Sequence, residues 1–447
     1  MRIVMMTNTY LPHVGGVARS VESFSQALRD AGHAVMVVAP EFPGMPSQET
    51  DVVRVPAIQR FNGSDFSVRL PVPGLLSEPL ERFQPDLIHA HHPFLLGDTA
   101  LRVASARGLP LVFTHHTLYE EYTHYVSTGA DKEKGKGSEA LRRFAVDLST
   151  GYANLCDHVL APSQSVGDLL RHRGVTTPIS VVPTGVDLLR FARRSGKRFR
   201  RAHGIPAEAF VVGHIGRLAP EKNLMFLART VAAFLEARPE AWFLVAGSGP
   251  LEEDIRAHLA ERGLSDRVCF AGILQGRDLV DGYAAMDVFA FASQSETQGM
   301  VLLEAMAAGV PVIAVDASGV REVVQTGVNG RKLATEDEQA FSAAIAWVAD
   351  MPADARKILV QGARKTARKM SMPVSIEKLT AVYNSIIKQK AAWEVPEENL
   401  WSGAMRRLHA EWKILGTIAH AAGSALAGAA HSGNSPAESE AVESRSP

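Results

Sequence analysis

Short buried strands alternate with amphipathic helices through the first half of this chain, and the alternation then begins again. Arg2–Thr7 is an apolar run of the kind that forms a buried parallel strand. A loop with Gly15 and Gly16 follows, then a helical stripe of Val17, Val21, Phe24 and Leu28 that Gly32 ends. Ala34–Ala39 reads as the next strand, so the opening is a βαβ unit, which demands a parallel, doubly wound sheet. Further strands are predicted at Leu87–Ala90, Leu111–Thr114, His158–Ala161 and Ile179–Val182. The restart places strands at Phe210–Ile215, Trp242–Ala246, Arg267–Phe270, Val288–Ala290 and Val312–Val315, with helices at Asn223–Arg238 and Leu251–Arg262 between them. Two such series predict an α/β protein of two Rossmann-like domains, with ligands at the carboxyl ends of strands in the cleft between them.

The chain has 447 residues, enough for two or three domains. The expected organisation is a first domain over 1–188, a basic linker over 189–206 and a second domain over 207–372. A helix over 373–395 is expected to pack back on the first domain, followed by an amphipathic helix over 396–430 and a disordered tail over 431–447. A formal net charge of -1 gives no global field for nucleic acid. Two distant cysteines, Cys156 and Cys269, exclude a disulfide scaffold and suit a reducing compartment. No apolar run approaches the ~18 residues of a membrane span, and the N-terminus lacks a signal-peptide pattern, so a cytoplasmic protein is expected.

The strongest chemical signal is SETQGMVLLEAMAAGVP at 295–311. Gly299 precedes a helical pattern, which would leave backbone N–H groups around Gln298, Gly299, Met300 and Val301 as an anion site. Glu296 and Glu304 flank it, and the order acid, anion site, acid matches hexose, diphosphate and ribose; the competing reading is two unrelated acids. The loop GRLAPEKN at 216–223 follows a buried strand and supplies Gly216, Arg217 and Lys222, two cations suited to phosphate oxygens and to charge growing on a departing nucleotide. Gly247 in AGSGP, and Gly16, would let backbone approach a ligand, although a plain tight turn explains either.

Histidines cluster at first-domain strand ends: His89, His91, His92, His115, His116 and His124. They lack zinc-ligand spacing and a completing acid, so no metal is expected; His116 is the one predicted to face the cleft and a sugar. Residues 190–201 hold seven basic residues and no acid, either a patch for anionic lipid through Arg193, Arg194 and Arg198 or a solvated connection. Trp401, Met405, Leu408, Trp412 and Leu415 recur at helical spacing, an apolar stripe for a bilayer interface or for the protein's own surface.

Together these motifs resemble the retaining glycosyltransferases of family 4, which have the GT-B fold, over Met1 to about residue 390. GRLAPEKN resembles their phosphate loop, Glu296 and Glu304 their paired glutamates, and VVPTGVDLLRF at 181–191 their hinge. The resemblance implies Glu296 on the donor hexose, Glu304 on the ribose, Arg217 and Lys222 on the diphosphate, and His116 beside the anomeric region. Thr297-Gln298-Gly299 stands where many relatives carry Gly-Phe-Gly, and it is similar to bacterial diacylglycerol glucosyltransferases, as are HAHHPFLLG at 89–97 and THHTLYEEYTHYV at 114–126. His92, Tyr122 and His124 are thereby expected on the acceptor side.

The implied activity is metal-free transfer of a hexose, glucose by this likeness, from a UDP-sugar to diacylglycerol or a similar lipid alcohol. Such an enzyme would be peripheral on the inner face of the cell membrane, drawn to its anionic surface. A soluble sugar acceptor, a sugar-nucleotide epimerase or hydrolase, and a non-catalytic nucleotide-sugar sensor are the alternatives, and the sequence leaves oligomeric state open.

Overall fold

A computed structural model describes residues 1–13, 15–58, 68–69, 75–121, 139–294, 296–393 and 410–425. Seven parallel strands form the first sheet in the order β3-β2-β1-β6-β7-β8-β9. They are β1 (Arg2–Met6), β2 (Ala34–Pro40), β3 (Val52–Val55), β6 (Leu87–Ala90), β7 (Leu111–Thr114), β8 (His158–Ala161) and β9 (Ile179–Val181). Ala57–Ile58 (β4) and Val68–Arg69 (β5) make a separate antiparallel pair. The second sheet is parallel in the order β12-β11-β10-β13-β14-β15. Its strands are β10 (Phe210–Ile215), β11 (Ala241–Ala246), β12 (Val268–Phe270), β13 (Val288–Phe291), β14 (Val312–Val315) and β15 (Gly330–Leu333). The architecture is the expected GT-B arrangement of two doubly wound domains.

Period-2 alternation explains why the strands carry almost no polar residue. In β1, Val4 and Met6 enter one core layer while Ile3 and Met5 enter the layer on the opposite face. Each fully buried aliphatic side chain of this kind contributes about 1.5–3 kcal/mol of transfer free energy, so the sheet centres anchor the loops at their carboxyl ends.

The chain crosses between domains twice at one place. Val186 donates to the Met370 carbonyl and Met372 donates back to Val186, both at 3.0 Å. A Cβ at Gly185 would sit 2.4 Å from Met372 Cα, so glycine permits this crossing. The helix Met372–Trp393 then packs on the first domain, with Leu379, Tyr383 and Ile386 sharing a core with Val21, Phe24 and Leu28.

The second half of the basic stretch is a short helix, Gly196–Ala202, on which Arg198 and Arg200 are committed to the second domain while Lys197 and Arg201 are exposed. Arg198 pairs with Asp281 at 2.6 Å and Asp278 at 3.0 Å, and Arg200 pairs with Asp287 at 2.8 Å. This corrects the picture of a free cationic patch through Arg198, whereas Arg193 is exposed.

Of the expected C-terminal amphipathic helix, 410–425 is helical. It docks on the first domain through Ala410, Ile414 and Ala421, with Arg102 bonded to Glu411 at 2.5 Å. The docking face is therefore not the tryptophan stripe: Trp412, Leu415 and Ile418 are 75%, 61% and 41% exposed. Tyr122, His124, Trp401, Met405, Leu408 and the 431–447 tail lie outside the described residues.

Candidate active site

The site begins with a loop that the sequence shapes directly. Gly299 takes φ +68 as the N-cap of the helix Met300–Ala308, and the N–H groups of Met300 and Val301 open that helix without an intrahelical acceptor. Glu296 sits just upstream, where its Oε1 meets Lys222 Nζ at 2.5 Å, both side chains largely shielded. Lys222 is held by a one-turn 3-10 helix, Pro220–Lys222, that Asn223 closes in the left-handed conformation. Cation, carboxylate and helix tip thus converge from two loops of the second domain.

The glycines are explained by the protein more than by a ligand. Gly247 has φ +136, and a Cβ there would lie 1.8 Å from the Gly216 carbonyl oxygen, so it lets the β10 and β11 exit loops touch. Gly16 is different: a Cβ there would meet nothing within 4 Å, leaving the space above the first-domain helix open.

Glu304 lies just over one turn along the helix from Met300. Tyr283 donates its hydroxyl to Glu304 Oε2 at 2.7 Å, and Arg19 from the first domain reaches Glu304 Oε1 at 3.7 Å. Neither partner was anticipated. Arg19 carries a signal in retrospect, a cation in the opening turns of a helix where the dipole disfavours it. Tyr283 carries none, since a fully buried tyrosine reads as core.

The first domain contributes His116, which the cross-cleft bonds bring to the site. Thr297 Oγ1 donates to the His116 carbonyl at 2.7 Å, placing that histidine beside the residue next to Glu296. His116 Nε2 and His91 Nδ1 lie 2.9 Å apart, one ring donating and the other accepting. Burial, then the neighbouring histidines, holds both rings well below the usual imidazole range, so both are neutral at pH 7.

Two expected site residues have other work. Gln298 gives its side-chain amide to the Thr184 backbone, and so offers that group to no ligand. His92 is buried and accepts the Asn8 N–H at 3.1 Å, with burial lowering its pKa to about 3; it braces the β1 exit loop. His214 is a further missed residue. Its Nδ1 donates to the Ala290 carbonyl at 3.1 Å, and its buried Nε2 lies 3.2 Å from where a Gly216 Cβ would be.

Residues 14–190 match the family model described as Glycosyltransferase Family 4, and residues 196–366 match that of Glycosyl transferases group 1. An alpha-monoglucosyldiacylglycerol synthase of Streptococcus pneumoniae is 31% identical over 70% of this chain and 71% of its own length. This chain is a family 4 glycosyltransferase. A second alpha-monoglucosyldiacylglycerol synthase, from Acholeplasma laidlawii, is 29% identical to this glycosyltransferase over 74% of the chain and 84% of its own length. A GDP-mannose-dependent alpha-mannosyltransferase of Mycolicibacterium smegmatis is 30% identical over 88% and 99%. Among solved structures, Anabaena HepE in complex with UDP and glucose superposes with a TM-score of 0.66 at 21% identity, covering 86% of this glycosyltransferase and 100% of that chain. At that identity the likeness establishes the shared fold.

Proposed function

We propose that this glycosyltransferase moves glucose from UDP-glucose to diacylglycerol or a related lipid alcohol, with retention of anomeric configuration. The observation that carries the reading is the meeting of Lys222, Glu296 and the Gly299 helix tip with His116 from the opposite domain.

In this reading the donor's diphosphate takes the place of Glu296 as the partner of Lys222. Arg217 joins it, and the N–H groups of Met300 and Val301 meet the phosphate oxygens. The released Glu296 accepts hydrogen bonds from hexose hydroxyls. Glu304 turns its carboxylate to the ribose, with Tyr283 fixing one oxygen. The bond between the anomeric carbon and the phosphate oxygen breaks as the cations absorb the growing charge. The acceptor hydroxyl oxygen then bonds to the same face of that carbon, and its proton goes to the leaving phosphate. Neutral His116 lies beside the sugar and contributes a hydrogen bond without a competing charge. The step needs no metal.

Two diacylglycerol glucosyltransferases among the relatives, and the outward Trp412, Leu415 and Ile418, support a lipid acceptor reached at an interface. No helix of the described residues is long and apolar enough to cross a membrane. The mannosyltransferase aligned over 88% of the chain favours testing GDP-mannose as the rival donor. Purified protein should form glucosyldiacylglycerol from UDP-glucose and vesicles containing diacylglycerol. Turnover confined to soluble sugar acceptors rejects the lipid half, and consumption of GDP-mannose alone rejects the donor.

A further inference from the structure

The part of the basic run that the second domain leaves unpaired meets two arginines of another helix. Arg194 on one side, with Arg364 and Arg368 of the helix Ala353–Lys369 on the other, lines a surface cavity of about 230 Å³. Leu188, Phe191, Ala192 and Ala307 complete the wall, and no acidic side chain does. Among the described residues no ion pair is formed by any of the three arginines. Arg194 spends one N–H on the Phe191 carbonyl, and Arg364 Nε is buried without a hydrogen-bond partner.

Gathering like charges in a partly dry hollow is unfavourable unless an opposite charge arrives to join them. Burial, then the Arg364 charge, already pulls the Arg194 pKa below its usual range. Guanidinium forks match the oxygens of a phosphate, and three around one hollow can satisfy several at once. The apolar half of the wall suits the carbon skeleton to which such a phosphate is attached. The hollow also stands apart from the presumed pyrophosphate position: Ala307 is about 10 Å along the helix from its Met300 tip, at 1.5 Å per residue.

We infer that Arg194, Arg364 and Arg368 form a second anion site, one that takes a phosphate group carried on an organic molecule. The phosphate could come from a phospholipid headgroup or from a soluble phosphate ester, and one experiment separates them. The full-length protein is melted with increasing inorganic phosphate and glycerol 3-phosphate at constant ionic strength. It is also sedimented with vesicles of phosphatidylcholine, with and without phosphatidylglycerol. Arg364→Gln and the exposed Arg368→Gln are compared with two controls on first-domain helices, the exposed Arg82→Gln and Arg171→Gln.

Saturating phosphate ester should raise the melting temperature of the unaltered protein by roughly 2–4 °C. Arg364→Gln and Arg368→Gln should lose that rise, and both controls should keep it. Loss of the rise with unchanged vesicle retention identifies a soluble ester. A several-fold fall in retention on phosphatidylglycerol vesicles in the same two variants identifies a headgroup. Equal melting shifts and equal retention in all proteins overturn the site. Arg368→Gln keeps the test decisive if Arg364→Gln fails to fold.

Discussion

The side-chain amide of Gln298 brackets the backbone of Thr184: Oε1 accepts the Thr184 N–H at 2.7 Å, and Nε2 donates to the Thr184 carbonyl at 2.6 Å. Thr184 Oγ1 lies 2.6 Å from Ser20 Oγ on the first-domain helix. One buried side chain therefore ties the loop that carries Glu296 and Gly299 to the hinge and to the opposite domain. Glu322 adds a second tie, accepting from the N–H groups of Gln164 and Ser165 at 2.8 and 2.7 Å.

Replacing Gln298 with glutamate preserves size and one bond but turns an oxygen toward the Thr184 carbonyl. Leaving that buried carbonyl opposed should cost about 1–3 kcal/mol. A calorimetric melt should show the loss, and the donor KM should rise as the domains lose their fixed relation. An unchanged melt and KM would show that Gln298 does not hold the cleft.

Lys222 and Glu296 separate two roles that a static pair combines. Lys222→Met removes a cation from the developing diphosphate charge, so kcat/KM should fall by roughly 10²–10³ and UDP should bind more weakly. Glu296→Gln should lower kcat with UDP affinity nearly retained, because the acid is assigned to the hexose. Calorimetric titration with UDP beside steady-state kinetics distinguishes these outcomes. Equal loss of UDP affinity in both variants would place Glu296 on the phosphate.

Much of the fold is legible in the sequence, and the parts that are not have physical reasons. Central strands such as β1, β10 and β14 read directly because parallel sheets bury both faces, making their residues continuously apolar. Strands β3 and β15 were not read: they are sheet edges, and Val52–Val55 and Gly330–Leu333 contain Arg54, Arg331 and Lys332. The GRLAPEKN and paired-glutamate motifs gave the second-domain half of the site, since loop chemistry is local. The cross-cleft half is not local. Arg19 meets Glu304, and Gln298 meets Thr184, only because two domains close on each other, and no spacing in the chain encodes that.

Tyr283 should matter through Glu304 alone. Tyr283→Phe keeps the buried ring and deletes one hydrogen bond, a stability cost of about 1 kcal/mol. If Glu304 holds the ribose, the variant should raise the KM for UDP-glucose several-fold while kcat changes little. The penalty should shrink with a donor lacking the ribose 2′-hydroxyl. A penalty identical for both donors would detach Glu304 from the sugar ring of the nucleotide.

Acid should destabilise this protein earlier than carboxylate titration alone would. Burial lowers His89 and His92 to about 3 and His115 and His214 to about 4, against an ordinary 6.5. The unfolded chain binds protons at these rings below pH 6.5 while the folded chain does not. Stability is therefore complete above 6.5 and declines as pH falls toward 4 and then 3. Each ring costs about 1.4 kcal/mol per pH unit in that window, or about 2 kcal/mol by pH 5. Calorimetry at pH 5 in two buffers should detect proton uptake on unfolding, and His214→Phe should remove about one proton of it. A melting temperature flat from pH 7 to 5 would contradict the burial.

The last prediction tests the proposed lipid acceptor, which a chain with no membrane-spanning helix among its described residues would have to reach at a surface. The helix over 410–425 spends Ala410, Ile414 and Ala421 on the first domain and turns Trp412 and Leu415 outward. A helix that merely covered its own domain would bury its largest apolar side chains first, yet here two alanines and Ile414 face inward while the tryptophan faces out. That orientation suits the proposed insertion at a headgroup boundary, where the docked face would fix the helix while the other face would supply apolar area to lipid. Exposed side chains contribute little to folding, so Trp412→Ser with Leu415→Ser should leave the melt within about 0.5 kcal/mol of the unaltered protein. Co-sedimentation with diacylglycerol-containing vesicles should nonetheless fall about tenfold, corresponding to about 1.4 kcal/mol of lost transfer free energy. Turnover on a detergent-dispersed, short-chain acceptor should persist, since the cleft is untouched. If sedimentation is unaffected, this face does not meet lipid. If the melt collapses instead, the tryptophan is covered by the chain and the orientation is wrong.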